Sequence, residues 1–333
     1  MPRSVITGVG KMLGSSNMSN SCVAKKIEDA GGAATSNEWI VERTGIQSRF
    51  IANNSSTGQM ALDASKKALE MARLSAEQID LIILATVTPD YGGTPSTACM
   101  VQKALGAKSI PAFDINAACS GFVYGLSIAD SLLKTRYENI LVIGSEKLST
   151  LIDWSDRKVA PLPGDGAGAV VLSRSDSMDF GIFDWELHAS GNNEALIIPA
   201  GGSLKPASMA TINGKEHFLR MDGREVFKFA VQACAEIITA LMERNGLTSQ
   251  TIDHIFLHQA NLRISNSVSD RLCIPDDKFF HSIQYYGNTS SASIPLGIAR
   301  AAEISLLKKG DNILLVGFGG GLTWGGCYLI WGL

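Results

Sequence analysis

The sequence repeats itself at a fixed offset of 173 residues, and this repeat limits the possible folds more than any other feature. Residues 74–84 (LSAEQIDLIIL) correspond to residues 247–257 (LTSQTIDHIFL). At the same offset, residues 139–144 (NILVIG) correspond to residues 312–317 (NILLVG). Chance similarity seldom keeps one offset at two separated places. We therefore interpret the chain as two related halves.

Each half alternates amphipathic helices with short, apolar, β-branched runs. Apolar residues recur at three- and four-residue spacing over residues 59–72 and 225–243, which predicts a helix before each repeated run. Further along, residues 113–133 lie parallel to residues 280–302 in the repeat. Each half is predicted to read helix, strand, strand, turn, helix, strand. This alternation predicts an α/β fold whose sheets are mostly parallel and covered on both faces.

The length and the position of the repeat predict two units of similar size. A chain of 333 residues corresponds to about two domains at ~150 residues each. The segment 172–182 is polar and turn-like, and the sequence contains no low-complexity tract or long linker. We therefore expect an N-terminal half at residues 1–174 and a C-terminal half at residues 175–333.

Composition excludes several classes of function. The net charge of −3, with no long run of either sign, argues against nucleic acid as the main partner. No apolar stretch approaches the ~18 residues of a membrane span, and the first residues do not resemble a secretory signal. The six cysteines form no CxxC pair, so we expect a reducing, cytoplasmic location without a zinc site or a disulfide framework.

Cys119 stands between a predicted strand and a predicted helix. It follows AFDIN and precedes SGFVYGLSIADSLL, an amphipathic helix. A cysteine at a helix N-terminus faces unpaired backbone N–H groups and the positive end of the helix dipole, and both favour the nucleophilic thiolate. The alternative is a buried cysteine that packs as a small hydrophobic residue, as most free cysteines do. Cys119 is the candidate nucleophile, and the other five cysteines are interpreted as packing residues.

His258 ends the predicted strand DHIFLH, at the position that Ala85 occupies in the first half. An imidazole therefore breaks the repeat at this point. His254 lies four residues earlier, and on a strand the two side chains would be about 13 Å apart, too far to share a metal ion. The sequence contains no HExxH motif, so we do not expect metal binding here.

Asn288 lies in the segment YYGNTSSAS, a Gly-Asn turn that opens a predicted helix. Its position in the second half is close to that of Cys119 in the first. An asparagine at such a turn is most often a cap or turn residue. Together with His258, however, it supplies two N–H donors near a cysteine, and this set of groups suits attack on a thioester and stabilisation of an oxyanion.

Three glycine-rich stretches do not match a nucleotide-binding motif. GDGAGA (164–169) leads into a strand rather than a helix, and GFGGGL (317–322) lacks the last glycine of GxGxxG. VITGVGKMLG near the start has no acidic residue at a convincing strand end downstream. Backbone N–H groups of such glycines suit an oxyanion hole beside a thiol instead.

Six longer strings carry a resemblance to a known family. They are SNEWIVERTGIQSRFIA (36–52), FDINAACSGFVYGL (113–126), DRKVAPLPGDGAGAVVL (156–172), HQANLRI (258–264), YGNTSSAS (286–293) and FGGGLTWG (318–325). In this order they resemble the β-ketoacyl-[acyl-carrier-protein] synthase III family of thiolase-fold condensing enzymes, over nearly the whole chain. The resemblance implies a thiolase-like α/β fold in which duplicated βα halves form a layered αβαβα arrangement.

The resemblance implies an acyltransferase with the triad Cys119, His258 and Asn288. Cys119 would take the acyl group from an acyl-CoA. His258 and Asn288 would donate hydrogen bonds to the thioester carbonyl of malonyl-acyl carrier protein, whose decarboxylation leaves an enolate that attacks acyl-Cys119. The N–H groups of Cys119 and Gly320 would form the oxyanion hole. The β-ketoacyl product initiates fatty acid biosynthesis, and neither a cofactor nor a metal is implied.

The resemblance also assigns residues to the CoA substrate. These residues are Trp39, Arg43, Thr44, Arg157 and Asn261. Trp39 and Arg157 match the positions that sandwich the adenine, and stacking and guanidinium chemistry suit an adenine and its 3′-phosphate. Asn261 matches a position near the pantetheine arm.

The remaining assignments concern the acyl chain and the partners. Thr94 and Phe318 would line the acyl pocket. Lys228, Arg263 and Arg271 would receive the acidic acyl carrier protein, with solvated helix charges as the alternative interpretation of the two arginines. The resemblance further implies a homodimer joined through edge strands of the sheets.

The sequence departs from the family pattern at several positions. Thr94 stands where many members carry a phenylalanine that lines the acyl pocket, Asp270 replaces a basic residue, and Ser291 replaces a frequent alanine. A small residue at 94 would leave room for a primer longer than acetyl. The alternative function is therefore a specialised condensing or acyl-transfer enzyme of secondary metabolism that uses a longer acyl-CoA.

A cysteine hydrolase is a more distant alternative. The order Cys, His, Asn and the 139 residues from Cys119 to His258 fall within the ~130–150 residues typical of papain-like chains. The neighbouring residues AACSG lack the CGSCW-like signature, however, and an internal duplication is foreign to that fold. A non-catalytic thioester-binding protein is a further alternative, and the presence of all three polar residues argues against it.

Overall fold

The computed structural model describes residues 2–192 and 194–333. Its strands are β1 (Arg3–Leu13), β2 (Ser16–Ser19), β3 (Ser48–Ile51), β4 (Leu81–Ala85), β5 (Ala112–Ile115), β6 (Asn139–Lys147), β7 (Asp165–Ser175), β8 (Gly181–Asn192), β9 (Leu196–Ile197), β10 (Arg220–Met221), β11 (His254–Leu257), β12 (Asn312–Gly319) and β13 (Gly321–Ile330).

The helices lie on both sides of these strands. They are α1 (Asn20–Asp29), α2 (Asn37–Thr44), α3 (Thr57–Ala72), α4 (Thr97–Leu105), α5 (Gly121–Leu133), α6 (Met209–Asn213), α7 (Gly223–Asn245), α8 (Leu262–Leu272), α9 (Ile283–Tyr286) and α10 (Ser293–Glu303). Within the described ranges, no helix combines the length and apolar character needed to cross a membrane.

Two mixed sheets form the framework. The first has the strand order β1-β7-β6-β4-β5 and the second β11-β12-β13-β8, beside two small sheets, β2-β3 and β9-β10. β4 runs parallel to β5 and β6, and β11 runs parallel to β12, whereas the other pairs in the two large sheets are antiparallel. The prediction of mostly parallel sheets is therefore wrong. β7 follows β6, and β13 follows β12, without a crossover helix, and a parallel pair requires such a crossover.

The predicted order of elements is also wrong in each half. In the first half α4 lies between β4 and β5. Ser96 is its N-cap, and the Asp114 carboxylate also accepts from the backbone N–H groups of Thr97 and Ala98 at 2.7 Å. Local periodicity does not reveal a cap supplied from β5. In the second half the expected second strand is reduced to one bridge between Ile255 and Phe279, and α9 follows it.

The helices and sheets form five layers. α3 and α4 cover the outer face of the first sheet, and α7 and α8 cover the outer face of the second. α5 and α10 lie between the sheets, where apolar side chains from both halves pack into one core. The αβαβα arrangement implied by the resemblance is confirmed. The division at residues 174 and 175 falls at the end of β7 and stays a prediction.

The halves interlock at two glycines that the repeat relates, Gly144 in β6 and Gly317 in β12. A Cβ at Gly144 would lie 2.3 Å from the carbonyl oxygen of Ser291, just before α10. A Cβ at Gly317 would lie 2.9 Å from the Cα of Ser120, just before α5. Each sheet therefore receives the turn that begins the central helix of the other half, and this crossing brings the predicted site residues together.

Candidate active site

A cavity of ≈720 Å³ runs inward between the halves and reaches Cys119. It is lined by ten of the residues that the sequence indicates, namely Trp39, Arg43, Thr44, Cys119, Arg157, His258, Asn261, Asn288, Phe318 and Gly320. Apolar side chains line much of its wall, including Leu196, Met221 and Phe227. Thr94 and the three proposed docking cations are not among the lining residues.

Cys119 lies in a 3₁₀ turn, residues 118–120, that leads directly into α5. Ala118 adopts a left-handed conformation with φ 46°, and the hydroxyl of Ser120 donates to the carbonyl oxygen of Ala117 at 2.7 Å. The end of β12 packs against this turn, because Gly319 has no side chain. A Cβ there would lie 2.6 Å from the backbone nitrogen of Cys119. The sulfur is therefore held at the inner end of the cavity, desolvated but reachable.

The surroundings of Cys119 shift the pKa of its thiol in both directions. Burial raises the pKa of the Cys119 thiol to about 12. The Ser290 hydroxyl lowers this pKa, the charge of Glu146 raises it, and the backbone N–H of Cys119 itself lowers it. Burial therefore opposes the thiolate that a helix N-terminus favours, and the thiolate stays a prediction.

His258 follows β11 and is fixed from several sides. Its backbone N–H donates to the carbonyl oxygen of Val316 at 2.8 Å, and its Nδ1 lies 2.7 Å from the hydroxyl oxygen of Ser293. The ring meets that of Phe318 edge-on at a centroid distance of 4.9 Å. Burial lowers the pKa of His258 to about 3, so the imidazole is neutral near pH 7.

Asn288 is held by both of its backbone polar groups. Its N–H donates to the carbonyl oxygen of Leu162, and its carbonyl accepts from the N–H of Gly164, each at 2.8 Å. Its side-chain Oδ1 accepts from the backbone N–H of Ser290 at 2.8 Å. Because the oxygen of the amide is engaged by the chain, its Nδ2 is left to donate toward the cavity.

The outer part of the cavity carries the residues implied for CoA. The guanidinium of Arg157 lies 4.5 Å from the centroid of the Trp39 ring, and that of Arg43 lies 5.7 Å from it. Arg157 also donates to the carbonyl oxygen of Ala34 at 2.5 Å. Arg157 and Trp39 are in direct contact, so an adenine ring fits between them only after Arg157 moves outward.

The polar side-chain atoms of Thr44 and Asn261 are hydrogen-bonded to backbone groups of the chain. The Thr44 hydroxyl donates to the carbonyl oxygen of Ile40 at 2.6 Å. The Asn261 Nδ2 donates to the carbonyl oxygen of Arg43 at 3.0 Å, and its Oδ1 caps α8 by accepting from the Arg263 N–H at 2.9 Å. Asn261 therefore ties α8 to α2 at the cavity wall.

The four residues outside the cavity are exposed. Thr94 lies in the exposed loop before α4, so this chain by itself does not bring Thr94 to the acyl pocket. Lys228 on α7 pairs with Glu225 at 3.3 Å, which reduces the free positive charge there. Arg263 lies over the Phe227 ring at 5.9 Å, close to the cavity, whereas Arg271 lies at the far end of α8.

Sequence reasoning missed two buried residues around the triad, Glu146 and Ser293, and named Ser291 only as a departure from the family pattern. The Glu146 carboxylate accepts from the Thr88 hydroxyl at 2.7 Å, and its Oε1 lies 2.8 Å from the Ser291 hydroxyl oxygen. Ser293 contacts His258 directly. Burial raises the pKa of Glu146. The strings NILVIG and YGNTSSAS end close to these residues, but only the crossing of the halves brings them together. Among the residues described, no group of three or more His, Cys, Asp or Glu is placed to hold a metal ion.

Comparison with known proteins gives a consistent result. The model of a family described as 3-Oxoacyl-[acyl-carrier-protein (ACP)] synthase III matches residues 113–191, and the model of its C terminal part matches residues 242–331. A beta-ketoacyl-[acyl-carrier-protein] synthase III from Natranaerobius thermophilus is 45% identical, over 99% of this chain and all of the relative. One from Clostridium perfringens is 49% identical, over 87% of this chain and 90% of the relative.

A solved structure supports the same similarity in three dimensions. The crystal structure of a 3-oxoacyl-[acyl-carrier-protein] synthase III from Aquifex aeolicus superposes with a TM-score of 0.89 at 43% sequence identity. The match covers 98% of this chain and all of the solved chain. The similarity therefore extends over both sheets and the cavity between them.

Proposed function

Because this chain belongs to the β-ketoacyl-[acyl-carrier-protein] synthase III family, we propose that Cys119, His258 and Asn288 carry out its decarboxylative condensation. The activity is that of an acyltransferase that initiates fatty acid biosynthesis. One observation supports these roles most strongly. The chain engages Nδ1 of His258 and Oδ1 of Asn288, which leaves Nε2 of His258 and Nδ2 of Asn288 for a substrate beside the thiol.

Acyl transfer is the first step. The Cys119 sulfur attacks the thioester carbonyl of an acyl-CoA, and a new C–S bond forms. As the tetrahedral intermediate collapses, the bond to the CoA sulfur breaks, and the proton lost by the thiol ends on CoA. We assign the oxyanion of the intermediate to the backbone N–H groups of Cys119 and Gly320, since preorganised donors stabilise such charge most effectively in a water-excluded site.

Condensation follows on the acyl-enzyme. Malonyl-acyl carrier protein places its thioester carbonyl between His258 and Asn288, whose N–H groups donate to the oxygen. The bond to the carboxylate breaks, CO₂ leaves, and the electron pair forms an enolate on that oxygen. The enolate carbon then attacks acyl-Cys119 and displaces the sulfur. A neutral His258 suits this role, because it stabilises the enolate by hydrogen bonding without transferring a proton to it.

The CoA substrate occupies the outer cavity in this proposal. The apolar wall formed by residues such as Leu196, Met221 and Phe227 accepts the pantetheine arm. Trp39 and Arg157 open to admit the adenine, and Arg43 offers its guanidinium to phosphate. Thr44 and Asn261 shape the wall, since their polar atoms are already engaged.

The partners and location are also proposals. We place the acyl carrier protein near Arg263 and Lys228, beside the cavity mouth, and the reaction uses no cofactor. β5 is an edge strand of the first sheet, and such an edge is suited to pair with a second copy in a homodimer. We assign the enzyme to the cytoplasm.

Family membership leaves the cysteine hydrolase alternative without support. Use of a longer primer stays a prediction that a panel of acyl-CoAs tests.

Intact-mass spectrometry tests the assignment of the nucleophile. Incubation with acetyl-CoA is expected to add one acyl group to the chain, and Cys119→Ser is expected to abolish the adduct. Cys22→Ser, which changes an exposed cysteine on α1, is the matched control and should retain it. An adduct that persisted in Cys119→Ser would move the nucleophile to another residue.

His258→Ala and Asn288→Ala separate the two steps. Both variants are expected to accept the acyl group from acetyl-CoA but to release CO₂ from malonyl-acyl carrier protein at least about 10²-fold more slowly, the loss typical of removing one oxyanion donor. Normal CO₂ release by either variant would exclude that residue as a donor.

A further inference from the structure

Ser293, the first residue of α10, is buried and directs its side chain at the imidazole of His258. Its hydroxyl oxygen lies 2.7 Å from His258 Nδ1, and the backbone N–H of Gln259 donates to the same oxygen at 3.4 Å. Ser293 is 2% exposed and His258 is 2% exposed. Water therefore does not compete for either group, and the hydrogen bond between them decides where the imidazole proton lies.

A count of hydrogens assigns the direction of this bond. The Gln259 N–H can only donate, so it occupies one lone pair of the Ser293 oxygen and cannot receive the hydroxyl hydrogen. Among the described residues, His258 Nδ1 is the only acceptor in reach of that hydrogen. If Nδ1 carried the proton instead, two donors would point at the serine oxygen and its own hydrogen would be buried without a partner, which is unfavourable.

The first half of the chain shows the same pair of positions without this contact. Gly121 begins α5 as Ser293 begins α10, and Ala85 stands where His258 does. A Cβ at Gly121 would lie 3.0 Å from the Cβ of Ala85, so the two positions touch in both halves. The half that supplies the imidazole therefore also supplies a hydroxyl at the position that contacts it.

We propose that Ser293 is a positioning residue that donates its hydroxyl hydrogen to His258 Nδ1 and so holds the imidazole as the tautomer with hydrogen on Nε2. This inference rests on the proposed function, in which His258 must donate a hydrogen bond to the malonyl thioester. The Nδ1–H tautomer presents a lone pair to the carbonyl oxygen and opposes enolate formation. Ser293 does not touch the substrate and acts through the orientation and tautomer of the ring.

The test compares Ser293→Ala with Ser293→Thr, which keeps a hydroxyl. Nitrogen-15 NMR of histidine-labelled protein is expected to show wild-type His258 with hydrogen on Nε2 and Nδ1 as a hydrogen-bond acceptor. In Ser293→Ala, the Nδ1 signal should lose this hydrogen bond. The kcat for CO₂ release should fall about tenfold, below the 10²–10³-fold loss expected from removing the donor itself. KM for malonyl-acyl carrier protein and the rate of Cys119 acylation should stay within about twofold of the wild type. Ser293→Thr should restore the hydrogen-bonded Nδ1 signal and the kcat for CO₂ release.

Ser269→Ala is the matched control. Ser269 is also a buried helical serine, but its hydroxyl donates to the carbonyl oxygen of Ile274 at 2.7 Å, away from His258. This variant should leave the histidine spectrum and CO₂ release unchanged. If Ser293→Ala does not fold, Ser293→Cys, with a weak donor of similar size, replaces it, and the wild-type spectrum alone reports the tautomer.

The two levels of the proposal fail in different ways. Hydrogen on Nδ1 in the wild-type spectrum, or unchanged CO₂ release in Ser293→Ala, overturns the role of Ser293, while His258→Ala still slows CO₂ release at least about 10²-fold. Unchanged CO₂ release in His258→Ala overturns the function proposed for His258 itself.

Discussion

The turn that carries Cys119 and the turn before α10 have the same backbone but different chemistry. Residues 118–120 form a 3₁₀ turn that enters α5, and residues 290–292 form one that enters α10. Each begins with a residue in the left-handed region, Ala118 at φ 46° and Ser290 at φ 50°. Each packs against a glycine of the opposite sheet. The repeat in the sequence is therefore a repeat of local geometry, down to a single unusual dihedral angle.

The difference lies in what the end of the opposite sheet presents to each turn. Cys119 faces Gly319, which brings only backbone and leaves room for substrate. At the corresponding position β6 presents Glu146, whose carboxylate lies against Ser291 and fills that space. The same turn geometry therefore occurs twice. Residues 118–120 form a turn that is open to the cavity, and residues 290–292 form a turn that is packed against Glu146. A glycine in place of a carboxylate decides which of the two accepts a substrate.

The largest effect is expected from closing the space beside Cys119. A Cβ at Gly319 would lie 2.6 Å from the backbone nitrogen of Cys119, so Gly319→Ala must displace the nucleophile and the oxyanion donor beside it. We expect the rate of Cys119 acylation by acetyl-CoA to fall about 10²–10³-fold, as when an oxyanion donor is lost. Gly202→Ala is the control, since no described atom lies within 4 Å of a Cβ at Gly202 and this glycine does not line the cavity. Equal acylation by the two variants would contradict this account.

A second prediction concerns His258→Ala, which gives position 258 the same residue as Ala85 at the corresponding position of the first half. Burial holds the pKa of His258 at about 3, whereas the unfolded chain binds a proton near pH 6.5. As the pH falls below 6.5, protons bind the unfolded chain first, so the free energy of unfolding decreases by about 1.4 kcal/mol per pH unit for this one group. Between pH 7.5 and 5.5 the wild type should lose about 1.4 kcal/mol more than His258→Ala in urea unfolding. The same pH dependence in both proteins would show that the histidine is not buried neutral.

A third prediction concerns the charge behind the turns. The charge of Glu146 raises the pKa of Cys119, so Glu146→Gln should lower that pKa and speed alkylation of Cys119 by iodoacetamide at pH 8 by about threefold to tenfold. Peptide mapping measures the rate at this residue. Asp130→Asn is the matched control, because Asp130 is equally buried but its charge raises the pKa of Cys327 rather than that of Cys119. An unchanged rate in Glu146→Gln would place the charge elsewhere.

The smallest effect is expected on the KM for malonyl-acyl carrier protein, when the exposed arginines of α8 are changed. Arg263 lies beside the cavity and Arg271 lies about 12 Å further along α8, at 1.5 Å per residue. Arg263→Ala should raise KM for malonyl-acyl carrier protein by about twofold to fivefold at low salt, with a smaller effect at high salt, because exposed charges contribute ~1 kcal/mol or less. Arg271→Ala should leave KM unchanged. Equal effects of both changes would indicate that the whole of α8 receives the carrier.

Much of the molecule follows from local pattern. The repeated runs become β4 and β11 and the first parts of β6 and β12. His258 directly follows β11, Cys119 lies between β5 and α5, and Asn288 lies between α9 and α10. The layered α/β fold and the family follow from the same strings. The errors concern strand direction and α4, and both depend on contacts between distant segments. Asp114, for example, adds to the Ser96 cap of α4 from a neighbouring strand, and periodicity within α4 does not report this contact.

The sequence by itself determined the duplication, the candidate nucleophile and its two candidate donors, because these rest on residue identity and spacing. Only the tertiary structure decided how these residues act. It showed a buried thiol whose pKa is raised, a neutral His258, an Asn288 whose Oδ1 is engaged, and a Thr94 that lies away from the cavity. The first three depend on burial or on partners that folding brings close, such as Ser290 beside Cys119 and Ser293 beside His258. Desolvation and hydrogen bonding are properties of the assembled surroundings, and they set the protonation state and direction of a side chain that sequence only places.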